Sequence, residues 1–373
     1  MTGSCSWIRT VVGPAVVAGW IVCGGAAVVV AAADAADASR KSPPASAGGK
    51  IVLETSAAAD ENPAAAGKKP AAALRAKMGD APLRAVIISE CFEDKENKAK
   101  LLAAVSGELP GAIVLGAATY GSFFQGGCQD ADSVCLLGIG GEGIGVASAL
   151  VTRLGTAKLT FQEHRAQIES KLRAAGAQLA GKLARSEKDV LLILLADAHA
   201  PKNQPLVEGL QQSLGKKFPI TGGCANKNAG QTFVYYNGRM HEDSAVALML
   251  SGDFRASLAG RQARDNDAIL RTAEESGKKA LALSLAASAT SASSTAAQGK
   301  PIAALAFDCA GRRSKLKKIE DELAALQRAI GREVPLFGCY CAGEIGPVDE
   351  PGAKSDALSG GAGWHIMLTV LTQ

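Results

Sequence analysis

Ile302-Ala303-Ala304-Leu305-Ala306-Phe307-Asp308-Cys309-Ala310-Gly311-Arg312-Arg313 is an apolar run that ends in an acid and a cysteine and opens into a polar turn. A run of this length and composition reads as a buried strand. A helix is expected next, because Leu316, Ile319, Leu323, Leu326 and Ile330 recur at spacings of three and four, with Ser314 placed to cap it. Pro335-Leu336-Phe337-Gly338 then forms a second strand leading to Gly343. A strand, a one-sided helix and a strand make a unit that must pack on a sheet.

The same pattern occurs twice upstream. One copy starts at Arg84 (RAVIISEC), passes through a helix around Lys98 and reaches Ile113-Val114-Leu115-Gly116. The other starts at Val190 (VLLILLADAHA), passes through a helix around Leu206 and reaches Pro219-Ile220-Thr221-Gly222. Aligning the three on their acids places Glu90, Asp197 and Asp308 at one point, with Cys91 and Cys309 beside two of them. Further helices read at 162–184 and 267–283, and strands at 133–139, 231–236 and 245–250, the last two joined by a hairpin at Tyr236-Asn237-Gly238. Units of this kind mixed with hairpins predict an α/β (α+β) fold of mixed β-sheets with packed helices, built from repeated strand-helix-strand units.

Cys309-Ala310-Gly311-Arg312, taken with Gly338-Cys339-Tyr340-Cys341-Ala342-Gly343-Glu344-Ile345-Gly346-Pro347, resembles the C-terminal half of a FIST domain. Pro219 to Ala225, the Tyr235-Asn237-Gly238 hairpin and the strand at 245–250 are similar to its N-terminal half. The resemblance implies two related halves, 84–252 and 253–373, and a sensory module for small ligands, with amino acids and related molecules proposed for the family. No output domain is recognisable, so a signal would pass to a separate partner protein.

The N-terminus has its own character. Arg9 precedes a nearly charge-free stretch, 11–33, and small residues surround Ala33 to Ala38. Residues 1–38 therefore read as an export signal of a secreted or periplasmic, bacterial-type protein, or as an uncleaved membrane anchor. Residues 39–83, rich in Ala, Pro, Ser and Lys, read as a disordered linker, and 286–300 as a low-complexity loop.

Composition narrows the function. The 40 basic and 36 acidic residues are interspersed, so no extended positive field exists to attract nucleic acid. Aromatics are 4% of the chain, too few for a base-stacking platform. The histidines at 164, 199, 241 and 365 have no close metal-ligand partner in sequence, and no Gly-x-Ser-x-Gly elbow occurs. Gly138-Ile139-Gly140-Gly141-Glu142-Gly143 matches the dinucleotide pattern, but no strand ending in an acid follows about twenty residues on. No cofactor or metal is expected.

In open α/β sheets ligands sit beyond the carboxyl ends of strands. That nominates Glu90, Asp197, Asp308 and Cys309 as ligand-binding residues if the three copies share one rim; otherwise the acids cap helices and the cysteines are small buried residues. Arg312 and Glu344 either grip the two ends of an amino-acid-like ligand or pair with each other. Two alternatives to a sensor remain: a thiol-dependent enzyme using Cys309, or Cys91, with His199, or a structural and protein-interaction module with no small ligand. Cys339 and Cys341 lack the two-residue spacer of redox and zinc pairs and read as structural, while a disulfide between Cys128 and Cys135 is an open possibility.

Overall fold

The computed structural model describes residues 39–228, 231–289, 300–349 and 356–373. A short strand, β1 (Ser39–Lys41), leads into three successive units of one design. The first is β2 (Val52–Ala59), α1 (Pro63–Met78), β3 (Leu83–Glu90), α2 (Lys95–Glu108), β4 (Ile113–Ala118), the hairpin β5 (Ser122–Phe124) and β6 (Gly127–Gln129), and β7 (Ser133–Gly140). The second is β8 (Ile144–Val151), α3 (Phe161–Lys182), β9 (Asp189–Ala196), α4 (Asn203–Leu214), β10 (Ile220–Cys224), a minor ladder of β11 (Lys227–Asn228) and β12 (Gln231–Thr232), the hairpin β13 (Val234–Tyr236) and β14 (Arg239–His241), and β15 (Ala245–Gly252). The third is β16 (Arg255–Gln262), α5 (Asn266–Ala289), β17 (Pro301–Cys309), α6 (Ala310–Arg313), α7 (Ile319–Ile330), β18 (Leu336–Cys341), the hairpin β19 (Glu344–Gly346) and β20 (Gly360–Ala362), and β21 (His365–Thr372).

Each unit builds its own sheet, so the three strand-helix-strand copies do not share one. The orders are β14-β13-β4-β3-β7-β2 for the first unit, β1-β8-β15-β9-β10-β19-β20 for the second and β16-β21-β17-β18-β5-β6 for the third. In each, only the central helix-connected pair is parallel, and the other neighbours run antiparallel.

The hairpins change places in a closed cycle. β5 and β6 of unit one extend the third sheet, β13 and β14 of unit two extend the first, and β19 and β20 of unit three extend the second. At the crossing, Tyr120 N–H donates to Tyr340 O at 2.9 Å, Asn226 N–H to Ala118 O at 2.8 Å, and Ala342 N–H to Cys224 O at 3.0 Å. One bond repeated three times around a point means the units cannot part without breaking every sheet.

Inner faces of all three sheets meet in a common apolar core holding Ile87, Leu137, Ile193, Leu248, Leu305 and Phe337. Each outer face carries its own helices: α1 and α2 on the first sheet, α3 and α4 on the second, α5 and α7 on the third. This is the expected mixed α/β fold of repeated strand-helix-strand units with packed helices.

Several local expectations differ. Residues 39–83 are ordered rather than a flexible linker. Alanine is the best helix former, Asn62 caps α1 through the Ala64 and Ala65 N–H groups, Pro63 sits at its first position, and Leu74 and Met78 are buried. Few large apolar residues are needed there because small ones allow close approach: a Cβ on Gly67 would lie 2.7 Å from Leu101 O. Residues 286–289 continue α5, and 290–299 lie outside the described residues. Ser314 does not cap α7, which begins at Ile319 after Lys318; its hydroxyl bonds Gly311 O instead. The Asn237-Gly238 turn, with φ of 48° and 75°, joins β13 to the short β14 rather than to β15, which belongs to another sheet. Cys128, on β6 of the third sheet, and Cys135, on β7 of the first, are free, as are the other described cysteines. The segment read as signal or anchor lies outside the described residues; among the described ones no helix is long and apolar enough to cross a membrane.

Candidate functional site

The ladders put the three units into register. Glu90 pairs with Ala118 and Val134, Ala196 with Cys224 and Ala245, and Asp308 with Tyr340 and Ile366. The position of Glu90 and Asp308 is therefore held by Ala196 in the second unit, and Asp197 is equivalent to Cys91 and Cys309. Aligning on the acids is one residue out for the middle copy. In a strand that slip moves a side chain to the other face.

The consequence is chemical. Glu90 and Asp308 turn outward under the helices, where each is fully buried. Glu90 accepts from Lys98 Nζ at 2.8 Å, from Phe92 N–H at 2.9 Å and from the Tyr235 hydroxyl. Asp308 accepts from Arg312 Nε at 2.7 Å, and the same guanidinium reaches Glu322 Oε1 at 2.7 Å and the Thr272 hydroxyl at 3.1 Å. Burial holds the Asp308 carboxyl well above its usual range, with Arg312 opposing and Glu322 reinforcing the shift. Arg312 and Glu344 do not pair; the guanidinium is spent on Asp308 and Glu322. These are buried clusters that seal the strand ends beneath the helices.

The equivalent trio Cys91, Asp197 and Cys309 marks the open rim, and its three positions differ. Near Cys91 stands Asp130, which pairs at 2.6 Å with Arg313, and the Arg313 guanidinium stacks 4.6 Å over the Tyr120 ring. Beside Asp197 is a cleft of about 600 Å³ lined by Thr160, Gln162, His199, Lys202, Lys227 and Asp243. Beside Cys309 is a cleft of about 530 Å³ lined by Trp364, Arg264, Cys341 and small residues. The two clefts share Ala200 and Pro201 as a common wall.

In the larger cleft Asp197 accepts the Asp243 N–H through Oδ2 at 2.9 Å, and its Oδ1 makes no hydrogen bond among the described residues. Asp243 is occupied by Gly155 N–H at 2.7 Å and Thr156 N–H at 3.2 Å, and Glu242 by Lys95 at 3.3 Å. Asp197 is thus the acid left for a ligand. Facing it are Lys202, whose pKa burial lowers, the exposed Lys227, and the first turn of α3, where Thr160 makes no side-chain capping bond. His199 donates through Nε2 to Ala225 O at 2.9 Å.

Around Cys309, the Trp364 N–H donates to Sγ at 3.3 Å. Burial, with Glu344 adding, pushes the thiol up to about 12. Glu344 lies fully buried behind the cleft, its Oε2 accepting the His365 N–H at 3.0 Å and its Oε1 without a well-formed hydrogen bond among the described residues. Desolvation raises its carboxyl to about 8. A thiol at 12 is almost wholly protonated at neutral pH, so Cys309 is expected to alkylate about a thousandfold more slowly than an exposed cysteine. Labelling of the folded chain at pH 7.5 checks this, and rapid modification of Cys309 would revive the thiol enzyme. His199 gives that enzyme no help, since it lines the other cleft. Cys339 and Cys341 are buried with Sγ atoms 3.6 Å apart inside the sheet, consistent with a structural role.

Sequence reasoning missed Lys202, Lys227, Asp243, Trp364 and Arg264. A signal for the register was present: Asp132-Ser133 and Asp243-Ser244 both precede a strand at the rim, with Trp364-His365 in their place in the third unit.

Two solved structures of cyanuric acid hydrolases are similar. One, from A. caulinodans, has a TM-score of 0.40 and 11% identity and covers 86% of this chain and 99% of its own. The second, described as an evolutionary innovation by structural concatenation, has a TM-score of 0.41 and 10% identity and covers 87% and 99%. No curated protein matches the sequence. The FIST N domain matches residues 84–263 and the FIST C domain residues 234–347. With both halves matched in order along one continuous stretch, the chain belongs to the FIST family.

Proposed function

We propose that this protein is an exported sensory module that binds a small zwitterionic ligand, an amino acid or a close relative, in the cleft at the end of β9. The observation that carries the reading is Asp197. Of three equivalent rim positions it alone presents an ionisable carboxylate with a free oxygen to open space, where the others present a protonated thiol. An ammonium group fits Asp197 Oδ1, and a carboxylate fits Lys202, Lys227 and the first-turn N–H groups of α3. Export rests on residues 1–38, acting as a signal or an anchor. A separate partner protein would receive the signal.

A thermal-shift screen of the chain against amino acids, amines and organic acids tests this reading. Ligand at a hundredfold excess over Kd adds about 2.7 kcal/mol of stability. Asp197→Asn keeps the Asp243 N–H bond but loses the charge, and is expected to cost about 10- to 100-fold in affinity. A shift equally large in the variant, or no shift from any zwitterion, sinks the proposal.

A further inference from the structure

The neighbouring cleft at Cys309 shares one wall with its counterpart but has an indole and no acid in its lining. Where the first two units carry Asp132 and Asp243, the third carries Trp364, and all three adopt a left-handed backbone, with φ of 49°, 46° and 64°. Asp tolerates that conformation, whereas a bulky residue there is an outlier that the surroundings must hold in place. What the conformation achieves is to set the indole along one wall of the cleft. The adjoining surface is small: a Cβ on Gly311 would stand 3.2 Å from the indole and 3.3 Å from Cys309 Sγ, and a Cβ on Gly343 would meet Ala200 N at 2.9 Å. A tryptophan wall bordered by glycine and alanine makes a slot for something flat.

Charge supplies the second constraint. Among the described residues, Arg264 is the one lining this cleft that carries charge, since the Cys309 thiol is held protonated. Its side chain is exposed and its guanidinium lies 5.0 Å over the Trp364 ring. A guanidinium braced on an indole at the mouth of a slot is preorganised for a planar, bidentate acceptor.

We propose that this cleft is a second binding site, for a planar aromatic or heteroaromatic carboxylate whose ring stacks on Trp364 and whose carboxylate pairs with Arg264. The site is separate in chemistry from the cleft at Asp197, which lacks an indole and opposes its cations with an acid. Its test is therefore independent of the zwitterion reading.

The chain has three tryptophans, Trp7, Trp20 and Trp364, so the full-length protein with Trp7→Phe and Trp20→Phe reports emission from Trp364 alone. Titration with benzoate and nicotinate is expected to give a saturable change. Benzamide, with the ring but no charge, and acetate, with the charge but no ring, are each expected to bind at least about tenfold more weakly. Arg264→Gln, at an exposed position, should bring benzoate down to the level of benzamide, while Asp197→Asn leaves the titration unchanged. No saturable response to either carboxylate up to about 10 mM, benzoate binding no tighter than benzamide or acetate, or an undiminished response in Arg264→Gln overturns the proposal.

Discussion

Replacing Arg312 by alanine destabilises the protein by about 3–5 kcal/mol, the range for removing one partner of a buried ion cluster. Among the described residues the guanidinium is the sole cation paired with two fully buried acids, Asp308 and Glu322, and Tyr340 donates to the far oxygen of Glu322 at 3.2 Å. Without it the two acids are left together in the interior with no opposite charge to compensate them. Urea unfolding of Arg312→Ala against the parent chain measures the loss. A triple replacement, Arg312→Met with Asp308→Asn and Glu322→Gln, should recover much of it, because no uncompensated charge remains. If Arg312→Ala unfolds with the parent's midpoint, the cluster contributes nothing and Arg312 is free for another role. The same cluster makes loss of ligand binding in Arg312→Ala a report on folding rather than on contact.

The second large effect is a change in how stability depends on pH. Glu344 has a carboxyl held at about 8 in the folded chain, against 4.5 for the free side chain. Between those values the folded protein keeps a proton that the unfolded chain has released. Its contribution is therefore fully present below pH 4.5 and falls as pH rises, by about 1.4 kcal/mol per unit until the folded group itself ionises. Over the whole window the loss is on the order of 5 kcal/mol. Glu344→Gln keeps the acceptor for the His365 N–H and removes the titration, so the variant should gain on the parent steadily from pH 5 to pH 8. Denaturant unfolding at pH 5, 6.5 and 8 reads the difference, and parallel stability profiles for the two proteins would show that Glu344 does not titrate as its burial demands.

Both effects arise from residues whose place in the chain was legible while their surroundings were not. Asp308 and Arg312 stand four apart at the end of an apolar strand, a spacing that suggests a rim and equally suits a local pair. The deciding partner, Glu322, sits on the first turn of α7, and Thr272 comes from α5. Neither contact leaves a periodic trace in sequence. The misplacement of Asp197 has a different origin. Apolar runs that are buried on both faces carry no alternation, so nothing along Val190 to Ala196 marks which residue faces the helices. Only the ladder to β15, with Ala196 opposite Ala245, fixes it.

Residues 39–83 illustrate a third kind of limit. Judged by its own apolar content the segment has too little to order itself, yet β2 lies along β7 through eight residue pairs and α1 fills the gap over the first sheet. Its stability is borrowed from surfaces supplied by the rest of the chain, and local composition does not register what a neighbour offers.

By itself the sequence determined the repeated strand-helix-strand unit, the mixed α/β class, the FIST family and the two chain regions where a rim would form. Those follow from periodicity and from motifs confined to short stretches, which are local properties. Only the tertiary structure decided that three units interlock by exchanging hairpins, that Glu90 and Asp308 are sealed beneath helices, and that Asp197 and Trp364 face open clefts. Each of these depends on strand register and on contacts between residues as distant in the chain as Tyr120 and Tyr340, and a one-residue shift in register exchanges the buried face of a strand for the open one.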